Sequence, residues 1–361
     1  MVEYYDNDFS FEEHQIEMEQ KLHSLRSSAE AAEIDTTIDD DDRVELKPKT
    51  QAQCWDGFHT SHSTGNFFKP RRYIMKCFPC ILEHCATEDS TQMERPKRLV
   101  LEVGCGSGSS CLPILKNCTD STIILACDCS AKAVDVCKSV VQSSTDSKNF
   151  GAFVSDPSLE SDESETSFMQ DVKTAHMKLL TDETIITNND DVGLADIVLM
   201  VFVLSAVPPK RVPRFMKQIY DAVKFGGKVC FRDYALYDLP MMRFKETHSI
   251  HSTCCDSDGK TPRLYERGDG KQSLMNCMLC EYFVCYCIPA DFIVSLIQTH
   301  PILSHSTGTL SRFFSLDTIR DIFESAGFIV EELRYATVFN DNRKTGERLK
   351  RAFVHAVFRK P

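Results

Sequence analysis

Apolar runs alternate with segments of helical periodicity from Arg98 to the end of the chain, and this alternation predicts an α/β fold. Five buried strands are predicted by short apolar runs, at 98–103, 122–128, 149–154, 195–204 and 228–234. Helices are predicted at 109–117, after Ser130, at 216–223 and at 315–326. Two last strands, at 328–339 and 352–359, are joined by a polar loop. Together these elements predict an open, mostly parallel seven-stranded sheet with an antiparallel terminal hairpin.

The formal net charge of −12 is unevenly distributed along the 361 residues. Residues 1–43 carry a net −11 and residues 155–196 a net −9, so the remaining residues sum to +8. Both acidic segments have little apolar content, which predicts a disordered tail over 1–43 and an acidic loop over 157–195. A solvated helix over 11–25 is the alternative for the tail. The total charge argues against a nucleic-acid partner, but the basic remainder removes that objection.

Residues 271–313 interrupt the alternation with an apolar stretch that contains cysteines. Glu281, Pro289 and Asp291 spoil a membrane-spanning helix there, so we expect an insertion, either lineage-specific or translated from an intron. The expected organisation is a tail over 1–43, an N-terminal segment over 44–97 and one domain over 98–361.

The 17 cysteines raise the question of metal or disulfide chemistry. No basic-then-apolar segment opens the chain, so we expect free thiols in a reducing compartment, the cytoplasm or the nucleus. Cys77 and Cys80 have the spacing of metal ligands, as do Cys277 and Cys280, but neither pair has a second pair at the distance that a zinc site needs. No metal is expected.

The clearest chemical signal is the segment Glu102-Val-Gly-Cys-Gly-Ser-Gly108, which follows a predicted strand and opens a helix. Its glycines allow a tight turn and a close approach of a ligand to the backbone. Asp128 ends the next strand, where its carboxylate can accept hydrogen bonds from a ribose diol. Asp156, which follows the third strand, and Val201, on the fourth strand, suit recognition of an adenine ring. The alternatives are a structural glycine turn, a helix-capping aspartate, an acidic loop residue and ordinary core.

A second signal lies before the first strand, where Lys69, Arg71 and Arg72 are interleaved with aromatic residues that include Phe68. Cations suit phosphate contacts and aromatic rings suit base stacking, so this segment is a candidate RNA-binding element. An ordinary solvated helix is the alternative.

Several sequence blocks resemble the tRNA N3-methylcytidine methyltransferases: Cys54-Trp-Asp-Gly-Phe58, Asn66-Phe-Phe-Lys69, Phe202-Val-Leu-Ser-Ala-Val-Pro208 and Phe231-Arg-Asp-Tyr-Ala-Leu-Tyr-Asp238. The resemblance covers about residues 50–361, apart from 157–195 and 271–313. It implies a Rossmann-like class I methyltransferase fold, S-adenosyl-L-methionine as cofactor, and methylation of a cytidine in the anticodon loop of tRNA.

The resemblance also implies site residues. Cofactor contacts are implied for six of them, Trp55, Gly104, Gly106, Asp128, Asp156 and Val201. RNA contacts are implied for Phe68, Lys69, Arg71 and Arg72. Two positions depart from the family pattern, since Pro70 replaces an acidic residue and His59 replaces a tyrosine.

The implied reaction needs little acid–base help, because cytosine N3 carries a free lone pair at neutral pH. Positioning and desolvation are expected to supply most of the catalysis. Asp233, with Arg232 beside it, lies at the end of the fifth strand, at the carboxyl edge of the sheet, where a carboxylate would favour a cationic product base. A structural ion-pair cluster is the alternative for both residues.

tRNA is the expected partner, and an aminoacyl-tRNA synthetase is a candidate second partner. Two other functions stay open at this point. One is methylation of a protein or a small molecule, and the other is a non-catalytic RNA-binding subunit with a methyltransferase fold.

Overall fold

The computed structural model describes the chain in segments, at 6–30, 50–64, 67–86, 98–119, 121–145, 148–159, 167–180, 192–242, 244–247, 264–267, 272–274, 302–304, 309–342 and 345–361. The structural statements below concern these residues. Most of the insertion expected at 271–313 lies outside them, as do residues 268–270 and the centre of the acidic loop.

A seven-stranded sheet forms the centre of the protein. Its strands are β1 (Arg98–Val103), β2 (Thr122–Asp128), β3 (Phe150–Val154), β4 (Ala195–Val201), β5 (Val223–Tyr234), β11 (Ile329–Asp341) and β12 (Arg348–Arg359). They lie in the order β11-β12-β5-β4-β1-β2-β3. Strands β1 to β5 pair in parallel, whereas β12 pairs antiparallel with both β5 and β11. The open α/β sheet with an antiparallel terminal hairpin, predicted from the sequence, is confirmed.

Ten α-helices accompany these strands in the described part of the chain. They are α1 (Phe11–Glu30), α2 (Gln51–Ser61), α3 (Ile74–Cys77), α4 (Pro79–Ala86), α5 (Cys111–Leu115), α6 (Ala131–Ser144), α7 (Phe168–Met177), α8 (Val212–Ala222), α9 (Leu239–Met242) and α10 (Leu316–Ser325). Two 3₁₀ turns, Leu204–Ala206 and Pro209–Arg211, follow β4. Short strands form two small additional sheets, from β6 (Phe244–Thr247), β7 (Leu264–Arg267) and β8 (Gln272–Leu274), and from β9 (Ile302–Ser304) and β10 (Leu310–Arg312).

The core has two layers because both faces of the sheet are covered by helices. Leu99 and Leu101 of β1 pack in a cluster with residues of α7, α8 and α10. Val100, on the opposite face, packs in a cluster with residues of α3, α4 and α6. Side chains alternate between the two faces of a strand, so near-continuous apolar runs are what a doubly covered parallel sheet requires.

The helix before β5 begins and ends earlier than the sequence predicts. The sequence predicts a helix over 216–223, whereas α8 spans Val212–Ala222, and Gly226 and Gly227 lie within β5. The backbone N–H of Gly226 donates to the carbonyl of Lys360, and the N–H of Lys360 donates to the carbonyl of Gly227. Pairing with the C-terminal residues therefore draws these glycines into the sheet.

The expected disordered tail over 1–43 is wrong for residues 11–30, which form α1. Phe11, His14 and Met18 are buried, and their spacing places them on one helix face. The Phe11 ring stacks on Tyr335 of β11 at a centroid distance of 3.4 Å. The helix proposed as the alternative is therefore present, although it is packed rather than solvated; residues 1–5 and 31–49 lie outside the described part of the chain.

The acidic loop expected over 157–195 also contains a helix, α7, with Phe168 and Val172 buried in the core. Among the described residues, no helix combines the length and the apolar character needed to cross a bilayer. The division between an N-terminal segment at 44–97 and a domain at 98–361 stays a prediction.

Candidate functional site

The glycine segment after β1 forms a turn that only glycine tolerates well. Gly104, Gly106 and Gly108 have φ values of +69°, +51° and +80°, in the left-handed region that side chains disfavour. A Cβ atom on Gly104 would lie 2.5 Å from Cγ2 of Val203, in the loop after β4. The turn therefore keeps its backbone bare at the carboxyl edge of the sheet, beside two strand ends.

Asp128, at the end of β2, is held by backbone donors. Its Oδ2 accepts from the N–H of Gly106 and its Oδ1 from the N–H of Ser130, both at 2.9 Å. Burial raises the pKa of Asp128 to about 6 despite these two hydrogen bonds. The carboxylate thus has a fixed orientation, and it lines the pocket next to the glycine turn.

Helix α2 is fixed to the sheet domain by Asp56. Its Oδ1 accepts from the Ser130 hydroxyl at 2.6 Å and from the Lys132 N–H at 3.1 Å, at the start of α6. This attachment places Trp55 and His59 of α2 at the pocket. Burial lowers the pKa of His59 to about 4, so this imidazole is neutral at physiological pH.

One pocket of about 980 Å³, counted with the part open to solvent, collects the predicted cofactor residues. All six of them line it, namely Trp55, Gly104, Gly106, Asp128, Asp156 and Val201. Oδ1 of Asp156 accepts from the Ser158 N–H at 2.9 Å, which orders the turn after β3. The structure therefore brings together residues from α2 and from the carboxyl ends of the four parallel strands β1 to β4.

Arg71 enters the same pocket from the segment before α3. Its backbone N–H donates to the Ser109 carbonyl at 2.7 Å, and its guanidinium donates to the Ser110 hydroxyl at 2.8 Å. The guanidinium carbon lies 5.3 Å from the ring centroid of Phe202 and 5.9 Å from that of Phe68, distances at which a cation and an aromatic ring attract. The N-terminal segment and the sheet therefore share one site.

The four predicted RNA contacts divide into two groups. Phe68 and Arg71 line the pocket, whereas Lys69 and Arg72 are exposed and are not among its lining residues. Pro70 precedes Arg71 and its carbonyl accepts from the Arg72 N–H at 2.9 Å, forming a turn. The proline at this position is compatible with the anchored position of Arg71.

Comparison with known proteins agrees with this geometry. Residues 86–333 match the family described as "Methyltransferase domain", more than half of the chain. The chain belongs to this methyltransferase family.

Two curated relatives cover nearly the whole of this methyltransferase. The protein named tRNA N(3)-methylcytidine methyltransferase Mettl2, from Drosophila melanogaster, is 27% identical over 338 residues, which are 93% of this chain and 80% of that protein. The protein named tRNA N(3)-cytidine methyltransferase METTL6, from Homo sapiens, is 26% identical over 328 residues, which are 90% of this chain and 86% of that protein. A solved SAM-dependent methyltransferase from Anabaena variabilis has a TM-score of 0.48 and 9% identity, covering 87% of this chain and 96% of that chain.

Arg232 and Asp233, the residues predicted to be catalytic, do not line the pocket of this methyltransferase. Asp233 is fully buried, and its two carboxylate oxygens accept from the N–H groups of Ser205 at 3.0 Å and Tyr234 at 2.9 Å. Burial raises the pKa of Asp233 to about 6. This carboxylate therefore holds the 3₁₀ turn after β4 in place, and it does so from outside the pocket.

The Arg232 side chain is also buried, on the opposite face of β5 from Asp233. Its guanidinium lies 3.7 Å from both Sγ of Cys77 and Oδ2 of Asp6, and 4.7 Å from the ring centroid of Phe353. Asp6, Cys77 and His355 also bring potential metal-ligand atoms within 4.8 Å of one another. The neighbouring guanidinium would repel a cation there, so we assign this cluster to packing of the N-terminal residues.

Sequence reasoning missed Tyr234 and Val203 as pocket residues. Tyr234 is the last residue of β5, and its ring lies 4.9 Å from that of Phe202. Its place at the carboxyl end of a parallel strand was the signal that could have found it. No comparable sequence pattern marked Val203, because its contact with the glycine turn forms only when folding brings the loop after β4 next to that turn.

Proposed function

We propose that this methyltransferase uses S-adenosyl-L-methionine to form N3-methylcytidine in the anticodon loop of tRNA. The observation that carries the proposal is the shared pocket, in which the glycine turn and Asp128 meet Phe68 and Arg71 of the N-terminal segment. The two relatives named above are tRNA cytidine N3 methyltransferases, and they support the substrate class.

The pocket fits the cofactor part by part. The backbone of the turn at Gly104 and Gly106 lines the pocket where it can contact the amino-acid portion, and Asp128 offers fixed acceptors to two ribose hydroxyls. Val201, which is buried, offers an apolar wall, and Asp156 follows β3 where an exocyclic amine can be bound. Bound S-adenosyl-L-methionine supplies an electrophilic methyl group.

The other end of the pocket suits a base that has left its stack. Phe202 and Tyr234 are adjacent aromatic rings, and Arg71 provides a cation that can bind a phosphate. Cytosine N3 needs no general base, so these residues act by orienting the base and excluding water. The contribution of the chain is therefore positioning.

We assign Asp233 a positioning role in this mechanism. Its hydrogen bond to the Ser205 N–H fixes the 3₁₀ turn, and Val203 beside that turn packs against Gly104. This positioning role replaces the direct stabilisation of a cationic product base that the sequence predicts for Asp233. Asp233→Asn is then expected to weaken cofactor binding, because an amide cannot accept both backbone hydrogen bonds through two oxygens.

The direct test is nucleoside mass spectrometry of purified tRNA after incubation with the protein and isotope-labelled S-adenosyl-L-methionine. Labelled N3-methylcytidine that maps to the anticodon loop is the expected product. Labelled methyl groups found only on protein or small molecules would contradict the proposal. Binding of cofactor and tRNA without any transfer would identify a non-catalytic subunit.

The partner and the compartment are further proposals. A parallel reaction with an added aminoacyl-tRNA synthetase measures whether such a partner raises turnover. We place the protein in the cytoplasm or the nucleus, where tRNA is processed, and imaging of the tagged full chain tests this.

A further inference from the structure

Two cysteines of different elements lie in direct contact on the face of the sheet covered by α4. Sγ of Cys80, in α4, lies 3.5 Å from Sγ of Cys230, in β5. The thiols are 150 residues apart in sequence, so this contact joins the N-terminal segment to the centre of the sheet. Cys77, three residues before Cys80, is directed to Arg232 instead, so the two cysteines of this CxxC have separate partners.

The two thiols differ in access and in acidity. Cys80 is half-buried, whereas Cys230 is fully buried. The hydrogen bond with the Cys230 thiol lowers the pKa of Cys80, with further help from the Lys228 charge, and against partial burial and the charge of Glu83. The same hydrogen bond and burial raise the pKa of Cys230 well above its usual value. One thiol is therefore partly accessible with a lowered pKa, and the other is shielded from solvent 3.5 Å away.

We propose that Cys80 and Cys230 form an oxidation site that reacts with peroxides to give a reversible disulfide. The Cys80 thiolate attacks one oxygen of the peroxide, the O–O bond breaks, and the second oxygen leaves as hydroxide. Cys80 is then a sulfenic acid. The Cys230 sulfur attacks the Cys80 sulfur, the S–O bond breaks, and the hydroxide takes the Cys230 proton to leave as water. Two thiols are oxidised, and one peroxide is reduced to two waters or, for an alkyl peroxide, to water and an alcohol.

A second contact provides an internal comparison. Sγ of Cys111 lies 3.8 Å from Sγ of Cys137, and both residues are fully buried. Proximity is therefore similar in the two pairs, but only the Cys80 pair has an accessible first thiol. Hydrogen bonds from Cys105 and Cys111 lower the pKa of Cys137 to about 5, so the buried pair does not lack thiolate character. If access decides the reaction, the buried pair stays reduced under conditions that oxidise the Cys80 pair.

The test treats the reduced full-length protein with a small excess of hydrogen peroxide, alkylates the remaining thiols, and digests it without reduction. The expected product is tryptic peptide 229–232 linked to peptide 77–97, and dithiothreitol should separate the two. Peptide 77–97 also contains Cys77 and Cys85, so fragment ions and the variants Cys80→Ser and Cys85→Ser assign the bond. Cys80→Ser should abolish the link and Cys85→Ser should keep it.

Limiting iodoacetamide gives an independent readout, since it should label Cys80 about tenfold or more faster than Cys230. In Cys230→Ser, dimedone should trap the Cys80 sulfenic acid. The proposal is overturned if Cys80 is converted to sulfinic acid without a link in the wild type, or if Cys111 and Cys137 cross-link first. A link that survives Cys80→Ser also overturns it. None of these measurements uses tRNA or cofactor, so their outcome is separate from the proposed function.

Discussion

Replacing Gly104 with alanine tests whether the glycine turn is shaped by backbone conformation and by its contact with Val203. The change costs about 1–2 kcal/mol because an alanine must adopt a positive φ of +69°. The new Cβ would lie 2.5 Å from Cγ2 and 3.1 Å from Cγ1 of Val203, and relieving such crowding in a packed site costs about 1–3 kcal/mol. We therefore expect Gly104→Ala to lower the free energy of unfolding by about 2–5 kcal/mol.

A matched control separates the two costs. Gly226 has a similar φ of +75°, but a Cβ there would meet nothing within 4 Å. Gly226→Ala should therefore lose only the conformational part, about 1–2 kcal/mol. Removing the opposing methyl groups should relieve the crowding, so adding Val203→Ala to Gly104→Ala should cost less than the sum of the two single changes.

Urea unfolding of the four variants measures these differences, and calorimetry with S-adenosyl-L-methionine measures the effect on the pocket. Because Val203 and Gly104 both line the pocket, relief of the clash by a shift of the turn should weaken cofactor binding in Gly104→Ala but not in Gly226→Ala. Equal losses of stability in the two alanine variants, or strictly additive losses in the double variant, would refute the reasoning.

Further expectations follow from other contacts. Cofactor affinity should fall as pH drops through about 6, where Asp128 takes up a proton. The pKa of Asp128 is higher in the folded than in the unfolded protein, so the same protonation should raise the free energy of unfolding as pH falls from 6 to 4. Calorimetry from pH 5 to 8 should show the step in wild type and lose it in Asp128→Asn. Arg71→Ala should reduce methyl transfer about 10- to 100-fold through its lost charged contacts, whereas the exposed Arg72→Ala should mainly alter the salt dependence of tRNA binding. Phe11→Ala should lower the free energy of unfolding by about 3 kcal/mol in urea melts, and Ile16→Ala, on the exposed face of α1, by about 0.5 kcal/mol or less.

Phe11 also changes how the acidic N-terminal residues are understood. The sequence predicted a disordered acidic tail over residues 1–43. In the structure, the backbone of Asp8 donates to the carbonyl of Thr337, and α1 packs on β11 through the Phe11–Tyr335 stack. Charge content hid this because only three positions of α1, about one per helical turn, are buried in this attachment, and one of them is a histidine.

The pocket residues also differ in whether a local sequence pattern could predict them. Gly104, Gly106 and Asp128 were predictable because a strand followed by a glycine turn, and a carboxylate at the next strand end, are local patterns with a known geometry. Asp233 was misplaced because its neighbours in sequence do not tell which face of β5 it occupies at the end of the strand. Tyr234, one residue later, lines the pocket instead.

The sequence by itself determined the seven strands of the main sheet with its terminal hairpin, and the positions of Gly104, Gly106 and Asp128 in the pocket. Those features depend on periodicity and turn chemistry within short stretches of chain. Only the tertiary structure decided that Arg71 reaches Ser110, 39 residues away, and that Cys80 meets Cys230, 150 residues away. Contacts over such separations depend on how the helices pack on the two faces of the sheet, which no local pattern encodes.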